Sequence, residues 1–510
     1  MSLLKFNKKN DIRGSLVPIE SYKNVPFNIE RIFYIKGMDN HPRGFHAHRK
    51  SIQVLVPIVG SFDITLSDGK VDTTYTLDDD GQGLLIPLYT WLKMYNFSDN
   101  CVILVLCSYE YDEKEYIRNY GDFLKEIEDM DRSGRSGRPI DCFSLHKQVD
   151  SLKPQIMREI NTIIDNNQFV LGPQLTRFEG SFAQYNNSSY CLGVSNGTSA
   201  MICALKSLKL SPGDEIIVQS NTYIAAPLAI DFCGLRIKVV DVDDSLNLDL
   251  DQLEDNISSK TKAIVVVHLY GSCPDMHRLQ SIVRKHNIYL IEDCAQAHGS
   301  TFDGQKLGTF GDIGCFSFYP SKNLGCFGEG GAVVTNNPDH YEYIKRYRNY
   351  GSVERYQWEI KGTNDRMHNI QAAILNVKLG YLDEWNGQRN ILARIYDAGL
   401  AEIQGITIPA NHPKLYRNYH LYVVRVERRD ELMSYLKSSN INCGIHYPHT
   451  FYQSKAFTST DGTNNINSLN GLSTNADIIC QEIISLPMYP ELDEQAVIRV
   501  CQAIKDFYNK

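Results

Sequence analysis

The amino-acid sequence predicts two domains of different fold class, an all-β sandwich or barrel followed by an α/β domain with a parallel sheet. Three observations support this prediction. The chain has 510 residues, which is more than one hydrophobic core usually serves. Its first part is a series of short strand-like runs separated by turn residues. The remainder alternates strand-like with helix-like patterns, as in proteins built from βαβ units.

Residues 1 to about 110 contain apolar and β-branched runs between clusters of Gly, Asp and Asn. The runs are "RIFYIKG", "IQVLVPIVGSFDITLSD", "YTLDD", "GLLIPLY" and "VILVLCSYEY". Many short strands with turn signals are typical of sandwiches and barrels. The charged segment "DEKEYIRNYGDFLKEIEDMD" then predicts a helix, and "RSGRSGRP" predicts a linker. We therefore place the first domain at residues 1–131 and the linker at 132–139.

From residue 140 to residue 510 the pattern changes. The segments "EIIVQS", "KAIVVVHLYG" and "IYLIEDCAQ" are strand-like, whereas "DMHRLQSIVRKHN" is helical. The runs of Val, Ile and Leu predict strands that are buried on both faces of a sheet. Because strands alternate with helices, we expect βαβ units and a parallel sheet.

Composition excludes several classes of protein. Hydrophobic residues make up 43% and charged residues 22%, as in globular proteins. A net charge of −8, spread along the chain, predicts neither a nucleic-acid partner nor a membrane surface. No apolar run approaches the roughly 20 residues of a membrane span, and "MSLLKFNKKNDIRG" lacks a signal-peptide core. The 13 cysteines include no Cys-x-x-Cys pair, so we expect free thiols and a cytoplasmic protein.

Three segments of the second domain carry the parts of a cofactor site. In "IYLIEDCAQAHGS" a strand ends at Asp293, and ligands of open α/β sheets bind beyond such ends. "SNGTSAMICALKSL" begins a helix whose free N–H groups suit a phosphate. "GCFSFYPSKNLGCFGEGG" holds Lys322 in an apolar, glycine-rich setting that favours a neutral, reactive amine.

Taken singly, each segment also has a structural interpretation, because Asp, Ser and Thr often only cap helices and a lysine is often only solvated. Together they supply a lysine, an acid and a phosphate site. Those are the three parts that pyridoxal phosphate (PLP) requires.

Residues 140–510 resemble the DegT/StrS-type nucleotide-sugar aminotransferases, which are PLP-dependent enzymes of fold type I. The resemblance rests on "NGTSA", "SNTYIAA", "EDCAQAHG", "SFYPSKNLG" and "GTNDRMHNIQAAI", in family order. It implies that Lys322 holds PLP as a Schiff base and moves a proton, and that Asp293 pairs with the ring nitrogen. It implies a homodimer in which Asn364 reaches the phosphate of the neighbouring subunit. The other implied cofactor contacts are Gly197, Thr198, Tyr223, Gln296 and Ser317, and the implied substrate contacts are His268 in "VHLYG" and His446 in "GIHYP".

The stretch "GFHAHRKSIQVLVPIVGSF" holds His46 and His48, which a strand would place on one face. A metal-binding cupin barrel would add an acid a few residues later and a histidine on a later strand. Here Ile52 and Gln53 stand in the first position and Leu92 in the second. We therefore expect no metal, and the spacing alone favours a structural pair and a functional pair equally.

Residues 8–125 resemble the cupin-type dTDP-4-keto-6-deoxyhexose 3,4-ketoisomerases. The similar segments are "RGSLVPIE", "RIFYIKG", "RGFHAHRK", "QVLVPIVGSF", "WLKMYNFS" and "VILVLCSYEYDEKEYIRNYGDFL". The resemblance implies a jelly-roll barrel in which two histidines of ordinary pKa about 6.5 serve the proton transfers. The family usually has an acidic residue near Ile52 and often a histidine at the position of Leu92. The catalytic residues implied are His46, His48 and Tyr34, and the implied diphosphate contacts are Arg13 and Arg43.

The two resemblances together predict a bifunctional enzyme. The first domain would convert dTDP-4-keto-6-deoxyglucose to the 3-keto sugar, and the second would aminate C3 with glutamate as the amino donor. The product would be a dTDP-3-amino-3,6-dideoxyhexose for surface polysaccharide, made by a homodimer or larger homo-oligomer. Two alternatives stay open at this point. The cupin domain could be a non-catalytic binding or dimerisation module, or the second domain could be a regulator or dehydratase, which Lys322 disfavours.

Overall fold

The computed structural model describes residues 2–21, 23–36, 41–136, 139–458, 466–467 and 474–509. The chain divides into two compact units, Met1–Arg138 and Pro139–Lys510. The division lies inside the stretch 132–139 that the sequence predicts as a linker. Within the described ranges, no helix combines the length and the apolar character needed to cross a membrane.

The first unit is a jelly-roll sandwich. Its two five-stranded sheets have the orders β1-β9-β6-β11-β4 and β12-β5-β10-β7-β8, and every pairing within them is antiparallel. The elements are β1 (Ser2–Lys5), β2 (Lys9–Asp11), β3 (Gly14–Leu16), β4 (Arg31–Lys36), β5 (Arg43–His48), β6 (Gln53–Val59), β7 (Phe62–Ser67), β8 (Asp72–Leu77), β9 (Gln82–Ile86), β10 (Trp91–Tyr95), β11 (Val102–Cys107), β12 (Tyr116–Ile117) and α1 (Tyr120–Ser136).

The core of this unit lies between the two sheets, because alternate residues of each strand point inward. On β7 the inward residues are Phe62, Ile64 and Leu66, and on β10 they are Leu92 and Met94. These side chains pack with those of β6, β9 and β11 from the other sheet. The predicted all-β fold is confirmed.

The segment after β11 differs from its prediction as one continuous helix. Residues Glu113–Glu115 form a 3₁₀ turn, and Tyr116–Ile117 form β12, which pairs with β5. The helix begins only at Tyr120. The charged composition favours a helix locally, but burial of Ile117 against Ala47 and Phe123 selects the strand. Tertiary packing of this kind outweighs local propensity.

Helix α1 continues to Ser136, so residues 132–136 of the predicted linker are helical. The glycine at position 134 does not end the helix. An interior glycine costs about 1 kcal/mol relative to alanine, which is too little to stop a helix of 17 residues.

The second unit is a helix–sheet–helix sandwich with a smaller carboxyl-terminal part. Its elements are α2 (His146–Asn166), α3 (Pro173–Tyr185), β13 (Tyr190–Val194), α4 (Gly197–Ser207), β14 (Glu215–Gln219), α5 (Ala225–Phe232), β15 (Arg236–Val240), α6 (Leu250–Asp255), β16 (Thr261–Val267), α7 (Met276–His286), β17 (Tyr289–Asp293), β18 (Thr301–Phe302), β19 (Gln305–Lys306), β20 (Ile313–Ser317), β21 (Gly331–Thr335), α8 (Pro338–Tyr347), β22 (Ser352–Glu354), β23 (Gln357–Trp358), α9 (Asn369–Leu379), α10 (Leu382–Leu400), β24 (Ile406–Thr407), β25 (Leu415–Tyr416), β26 (Tyr422–Val426), α11 (Arg429–Ser438), α12 (Lys455–Thr458), β27 (Ile466–Asn467), α13 (Asn475–Glu482), β28 (Ile483–Leu486) and α14 (Glu494–Tyr508).

The main sheet has eight strands in the order β13-β21-β20-β17-β16-β14-β15-β27. Strand β21 is antiparallel to both of its neighbours, and the remaining pairings described are parallel. Two apolar cores lie on opposite faces of this sheet. Consecutive strand residues point to opposite faces, and Ile216 packs in one core while Ile217 packs in the other. The predicted α/β fold of type I is confirmed. Strands β14, β16, β17 and β20 run in one direction, so the loops after their carboxyl ends meet at one edge.

Candidate functional site

A cavity of about 800 Å³ opens at the carboxyl ends of these four strands. It gathers residues from the segments that follow β13, β14, β16, β17 and β20, together with residues such as His420 and His446 from the carboxyl-terminal part of the unit. The predicted residues that line it are Gly197, Thr198, Tyr223, Asp293, Gln296, Ser317, Lys322 and His446.

Lys322 and Asp293 form the charged centre of this cavity. Burial lowers the pKa of Lys322 to about 8, although the negative charge of Asp293 acts in the opposite direction. Burial also raises the pKa of Asp293, against the effects of the Ala295 N–H and of the Lys322 charge. In the part of the chain that the structure describes, the Lys322 Nζ makes no hydrogen bond or ion pair. Its amine is therefore free to bond a ligand and is more often neutral than an exposed lysine.

The start of helix α4 lines the same cavity. Asn196 caps the helix by accepting a hydrogen bond from the Ser199 N–H, which leaves the first N–H groups directed at the cavity. Asp365 accepts hydrogen bonds from the hydroxyls of Ser195 and Ser199 and so anchors this turn. Glycine is required at position 197, because a Cβ atom there would lie 2.7 Å from the Ser317 Cβ.

Aromatic side chains form the mouth of the cavity. The rings of Tyr223 and Tyr447 lie 5.4 Å apart and are tilted by 38°. Gln296 donates a hydrogen bond to the Tyr447 hydroxyl (3.2 Å) and accepts one from the Tyr270 N–H (2.7 Å). Both the oxygen and the nitrogen of the Gln296 side-chain amide are therefore hydrogen-bonded, and this side chain borders the cavity.

Two predicted residues of this unit lie elsewhere. His268 does not border the cavity: it is fully buried, with its Nε2 2.9 Å from a carboxylate oxygen of Glu292. The same carboxylate accepts three backbone N–H groups, from Gly308, Phe310 and Gly311, so the pair serves to fix the sheet edge. The prediction of a substrate contact at His268 is therefore wrong. Asn364 accepts a hydrogen bond from Arg366, and its role across a dimer stays a prediction.

His420 also lines the cavity, and the sequence motifs do not reveal it. Its Nδ1 lies 3.0 Å from the Asn323 Oδ1, so Nδ1 is the protonated nitrogen. Burial, aided by the Lys322 charge, holds its pKa well below 6.5 and keeps the ring neutral. Buried Arg389 donates hydrogen bonds to the carbonyls of Tyr419 and His420. The sequence does not reveal His420 as a cavity residue, because His420 lies just before β26, far from the recognised motifs.

The first unit has its own cavity of about 210 Å³ between the two sheets. Apart from four residues that carry polar groups, its walls are apolar or glycine. The polar residues are Arg43, His46 and Gln53, and the aromatic hydroxyl is that of Tyr116; the remaining residues are Phe33, Ile35, Gly44, Leu55, Leu92, Met94 and Val105.

His46 is the imidazole that reaches this cavity. Its Nδ1 lies 3.0 Å from the carbonyl oxygen of Gly44, so Nδ1 carries the hydrogen and Nε2 is an acceptor. Burial lowers the pKa of His46 to about 4, although the Gly44 carbonyl acts against the shift. The ring is therefore neutral at physiological pH and able to accept a proton.

His48 is placed differently, although it shares the strand face. It is 2% exposed and does not border the cavity. Its Nδ1 lies 2.5 Å from Glu115 Oε1, and its Nε2 accepts a hydrogen bond from the Gln53 amide at 3.0 Å. Both ring nitrogens are thus occupied. The role of His48 in proton transfer stays a prediction.

The prediction of a catalytic role for Tyr34 is wrong. Tyr34 is 61% exposed on the outer face of β4, because the inward positions of that strand are Phe33 and Ile35. The tyrosine beside the histidines is Tyr116, whose ring centroid lies 5.2 Å from that of His46. Arg13 is exposed in the β2–β3 hairpin and forms an ion pair with Asp11 at 2.6 Å, and its contact with a diphosphate stays a prediction.

Leu92 occupies the position where a metal-binding cupin would have its later histidine. It lies beside His46 on the neighbouring strand β10 and is 1% exposed. Across the described ranges, the group of potential metal ligands that lie close together is His268, Glu292 and Cys294, in the other unit. Since the Glu292 oxygens already accept three N–H groups, that group has a structural explanation.

Comparison with known proteins identifies the second unit. Residues 150–505 match the model of the DegT/DnrJ/EryC1/StrS aminotransferase family. The chain belongs to this family. Residues 1–128 match the family described as FdtA, WxcM-like, C-terminal. The protein is therefore a DegT/DnrJ/EryC1/StrS aminotransferase that carries an FdtA-like cupin domain at its amino-terminal side.

Two proteins similar to this chain are transaminases of dTDP-linked amino sugars. A dTDP-3-amino-3,4,6-trideoxy-alpha-D-glucose transaminase of Streptomyces venezuelae is 38% identical over 377 residues, 74% of this chain and 98% of that protein. A dTDP-3-amino-3,6-dideoxy-alpha-D-galactopyranose transaminase of Aneurinibacillus thermoaerophilus is 39% identical over 69% of this chain and 95% of that protein. A crystal structure of S. venezuelae DesV in complex with a ketimine intermediate superposes with a TM-score of 0.70 at 37% identity, covering 73% of this chain and 99% of that one.

The enzymes of this family depend on PLP, and the cavity of the aminotransferase fits that cofactor. The helix start at Gly197 and Thr198 offers N–H groups for a phosphate, and Asp293 offers a buried carboxylate for a cationic ring nitrogen. Lys322 offers an amine without a protein partner among the described residues. These are the three groups that the predicted cofactor requires.

Proposed function

We propose that this chain carries out two consecutive reactions on a dTDP-linked sugar. The cupin domain isomerises dTDP-4-keto-6-deoxyglucose to the 3-keto sugar, and the aminotransferase domain aminates C3 with glutamate as donor. The product is a dTDP-3-amino-3,6-dideoxyhexose. The observation that carries the proposal is the union, in one chain, of a DegT-type aminotransferase with an FdtA-like domain whose cavity exposes a neutral imidazole at His46.

The order of the two reactions follows from their chemistry. Isomerisation moves the ketone from C4 to C3, and the two relatives named above are transaminases of 3-amino sugars. The product of the first reaction is thus the substrate of the second. A covalent link keeps both activities at equal abundance and raises the local concentration of the 3-keto sugar near the second site.

In the cupin domain, a cavity of about 210 Å³ is smaller than the pockets that enclose whole drug-sized ligands. It suits the sugar ring, and the nucleotide would extend outward past Arg43, whose guanidinium matches phosphate oxygens. His46 Nε2 then removes the C3 proton. The apolar walls exclude water, which strengthens the electrostatic interactions of the enediolate with fixed donors.

In the aminotransferase domain, PLP supplies an electron sink that acidifies the carbon bearing the substrate amine. The Asp293 carboxylate keeps the proton on the ring nitrogen, and the N–H groups at the start of α4 hold the phosphate. The Lys322 Nζ, with a pKa near 8, gives and takes the proton at the reacting carbon. We also propose a homodimer, in which Asn364 completes the phosphate site of the neighbouring subunit.

Product analysis tests the proposed function. The full-length protein is incubated with dTDP-4-keto-6-deoxyglucose, PLP and glutamate, and the product is examined by mass spectrometry and NMR. We expect the new amino group on C3, with one 2-oxoglutarate formed per amino sugar. Without glutamate, the 3-keto sugar should appear instead. An amino group on C4 would contradict the isomerisation step while leaving the aminotransferase assignment intact.

A second candidate function keeps the aminotransferase and makes the cupin domain a non-catalytic nucleotide-sugar-binding or dimerisation module. The apolar side chains of Leu92 and Ile52 favour it, because related isomerases carry polar groups there. Under this alternative the protein aminates a supplied 3-keto sugar but makes no amino sugar from dTDP-4-keto-6-deoxyglucose. Parallel incubations with the two sugars therefore separate the candidates.

The pH dependence of isomerisation provides a further prediction. His46 works as a base only when neutral, and burial lowers its pKa to about 4. The rate should therefore stay flat as the pH falls from about 8 to about 5.5, whereas a histidine of ordinary pKa would lose about tenfold over that range. The measurement is the initial rate of 3-keto sugar formation without an amino donor. A tenfold decline centred near pH 6.5 would contradict a buried, neutral base.

A further inference from the structure

We propose that Asp365 limits how tightly the aminotransferase binds the phosphate group of its cofactor. Its carboxylate carries a negative charge behind the start of helix α4, the region assigned above to the phosphate of PLP. The inference rests on that assignment of Gly197 and Thr198, and it names the residue that sets the strength of the phosphate site. Asp365 does not border the cavity, so it acts through the residues in front of it.

Two serine hydroxyls connect the carboxylate to the helix start. Asp365 Oδ1 lies 2.9 Å from the Ser195 hydroxyl and 2.8 Å from the Ser199 hydroxyl. The two serine oxygens are themselves 2.9 Å apart. Each hydroxyl has a single hydrogen to donate, and both hydrogens lie within this group of three oxygens. Ser199 borders the cavity, but its hydroxyl hydrogen is therefore directed at Asp365 and not at a phosphate.

The charge of Asp365 is not balanced by a basic side chain. Within the described ranges, no ion pair involves this carboxylate. Arg366, the next residue in the sequence, donates its hydrogen bonds to the side chains of two asparagines. Arg348 accepts the Asp365 N–H with its carbonyl oxygen, but its guanidinium forms an ion pair with Glu179 at 2.5 Å. The hydroxyls and the dipole of α4 are what stabilise the carboxylate.

The phosphate of the cofactor depends on the same helix start. Free N–H groups and the helix dipole stabilise an anion there, and a phosphate monoester carries about 1.5 to 2 negative charges at neutral pH. With PLP bound, two anions share one helix start and repel each other. Removal of the Asp365 charge should therefore strengthen the binding of the phosphate.

Asp365→Asn tests the effect of the charge, because it keeps an acceptor oxygen for the two serines. Full-length protein is dialysed to equilibrium against a series of PLP concentrations, and bound PLP is measured by absorbance. We expect the variant to bind PLP about tenfold more tightly than the wild type. Pyridoxal is the matched ligand, since it has the aldehyde and the ring but no phosphate. Its dissociation constant should stay within about twofold of the wild-type value.

Two further variants complete the design. Asp365→Ala removes the acceptor together with the charge, so the turn before α4 loses its anchor, and we expect PLP to bind this variant more weakly than Asp365→Asn. Asp339→Asn makes the same change of charge in the first turn of α8, at an exposed residue that does not border the cavity. It should leave the dissociation constants of both ligands unchanged.

A PLP dissociation constant of Asp365→Asn that equals or exceeds the wild-type value would overturn the inference, because the charge at position 365 would not reach the phosphate. An equal gain in the affinity for pyridoxal would also overturn it, since the ring or the lysine would then be what changed. A wild-type protein that binds pyridoxal as tightly as PLP would refute the phosphate site itself, which is a different outcome.

Discussion

Replacing Lys322 by alanine is expected to lower the rate of transamination by at least about 10³-fold, because one amine both holds the cofactor and moves the proton. In the described part of the chain its Nζ makes no contact that a structural role would need, and its pKa is lowered to about 8 by burial. The measurement is 2-oxoglutarate formed from glutamate. Isomerisation of the 4-keto sugar should proceed at the wild-type rate, since its site lies in the other unit.

Lys322→Arg is the stringent control for this prediction. It keeps a positive charge near Asp293 but provides no amine that can bond the cofactor or titrate near neutrality. It should be as inactive as Lys322→Ala. If the arginine variant retained substantial transamination, the role of position 322 would be electrostatic only, and the covalent assignment would be contradicted.

The site of the aminotransferase could be predicted largely from sequence because of the geometry of its sheet. In a parallel sheet, the loops after successive strands meet at one edge, so residues that are distant in sequence share a cavity. Asp293 after β17 and Lys322 after β20 come together in this way. His268 follows β16 at the same edge, but its side chain turns into the core to pair with Glu292. Sequence position gives the edge of the sheet and not the direction of each side chain.

The cupin site could be predicted less completely, for a different physical reason. Alternation along β4 shows that Tyr34 faces opposite to its neighbours, but not which face is the inner one. The inner face is decided by packing against the second sheet, where Phe33 and Ile35 meet the core. The true neighbour of the histidines, Tyr116, lies on a strand of two residues inside a charged segment. Such a strand exists only because β5 is there to pair with it.

Glu115 shows the same limit of local sequence information. It lies among acidic residues and a lysine, a composition typical of solvent-exposed surface. Its side chain is nevertheless 1% exposed and hydrogen-bonded to His48. Its burial is tolerated because the imidazole and the Lys50 N–H, 3.3 Å away, supply hydrogen bonds to its two oxygens. The partner lies 67 residues earlier in the chain, beyond the reach of any helical or strand periodicity.

His46→Gln is expected to abolish isomerisation, lowering both C3 exchange and 3-keto sugar formation by at least about 10³-fold. Glutamine is close to histidine in size and can donate a hydrogen bond to the Gly44 carbonyl, but it cannot accept the C3 proton. Amination of a supplied 3-keto sugar should stay at the wild-type rate. Rates are measured by NMR in deuterated water for the first reaction and by 2-oxoglutarate for the second.

Mixing the two inactive variants distinguishes separate sites from a shared one. His46→Gln lacks the base that removes the C3 proton but keeps Lys322. Lys322→Ala lacks the lysine needed for transamination but keeps His46. If each unit performs one reaction, the mixture should make amino sugar from dTDP-4-keto-6-deoxyglucose although neither variant does so alone, because the 3-keto sugar can diffuse between molecules. A mixture that stays inactive, although Lys322→Ala still exchanges the C3 proton and His46→Gln still aminates supplied 3-keto sugar, would mean that the 3-keto sugar does not leave the molecule that forms it. Failure of Lys322→Ala to isomerise would instead contradict the assignment of isomerisation to the cupin cavity.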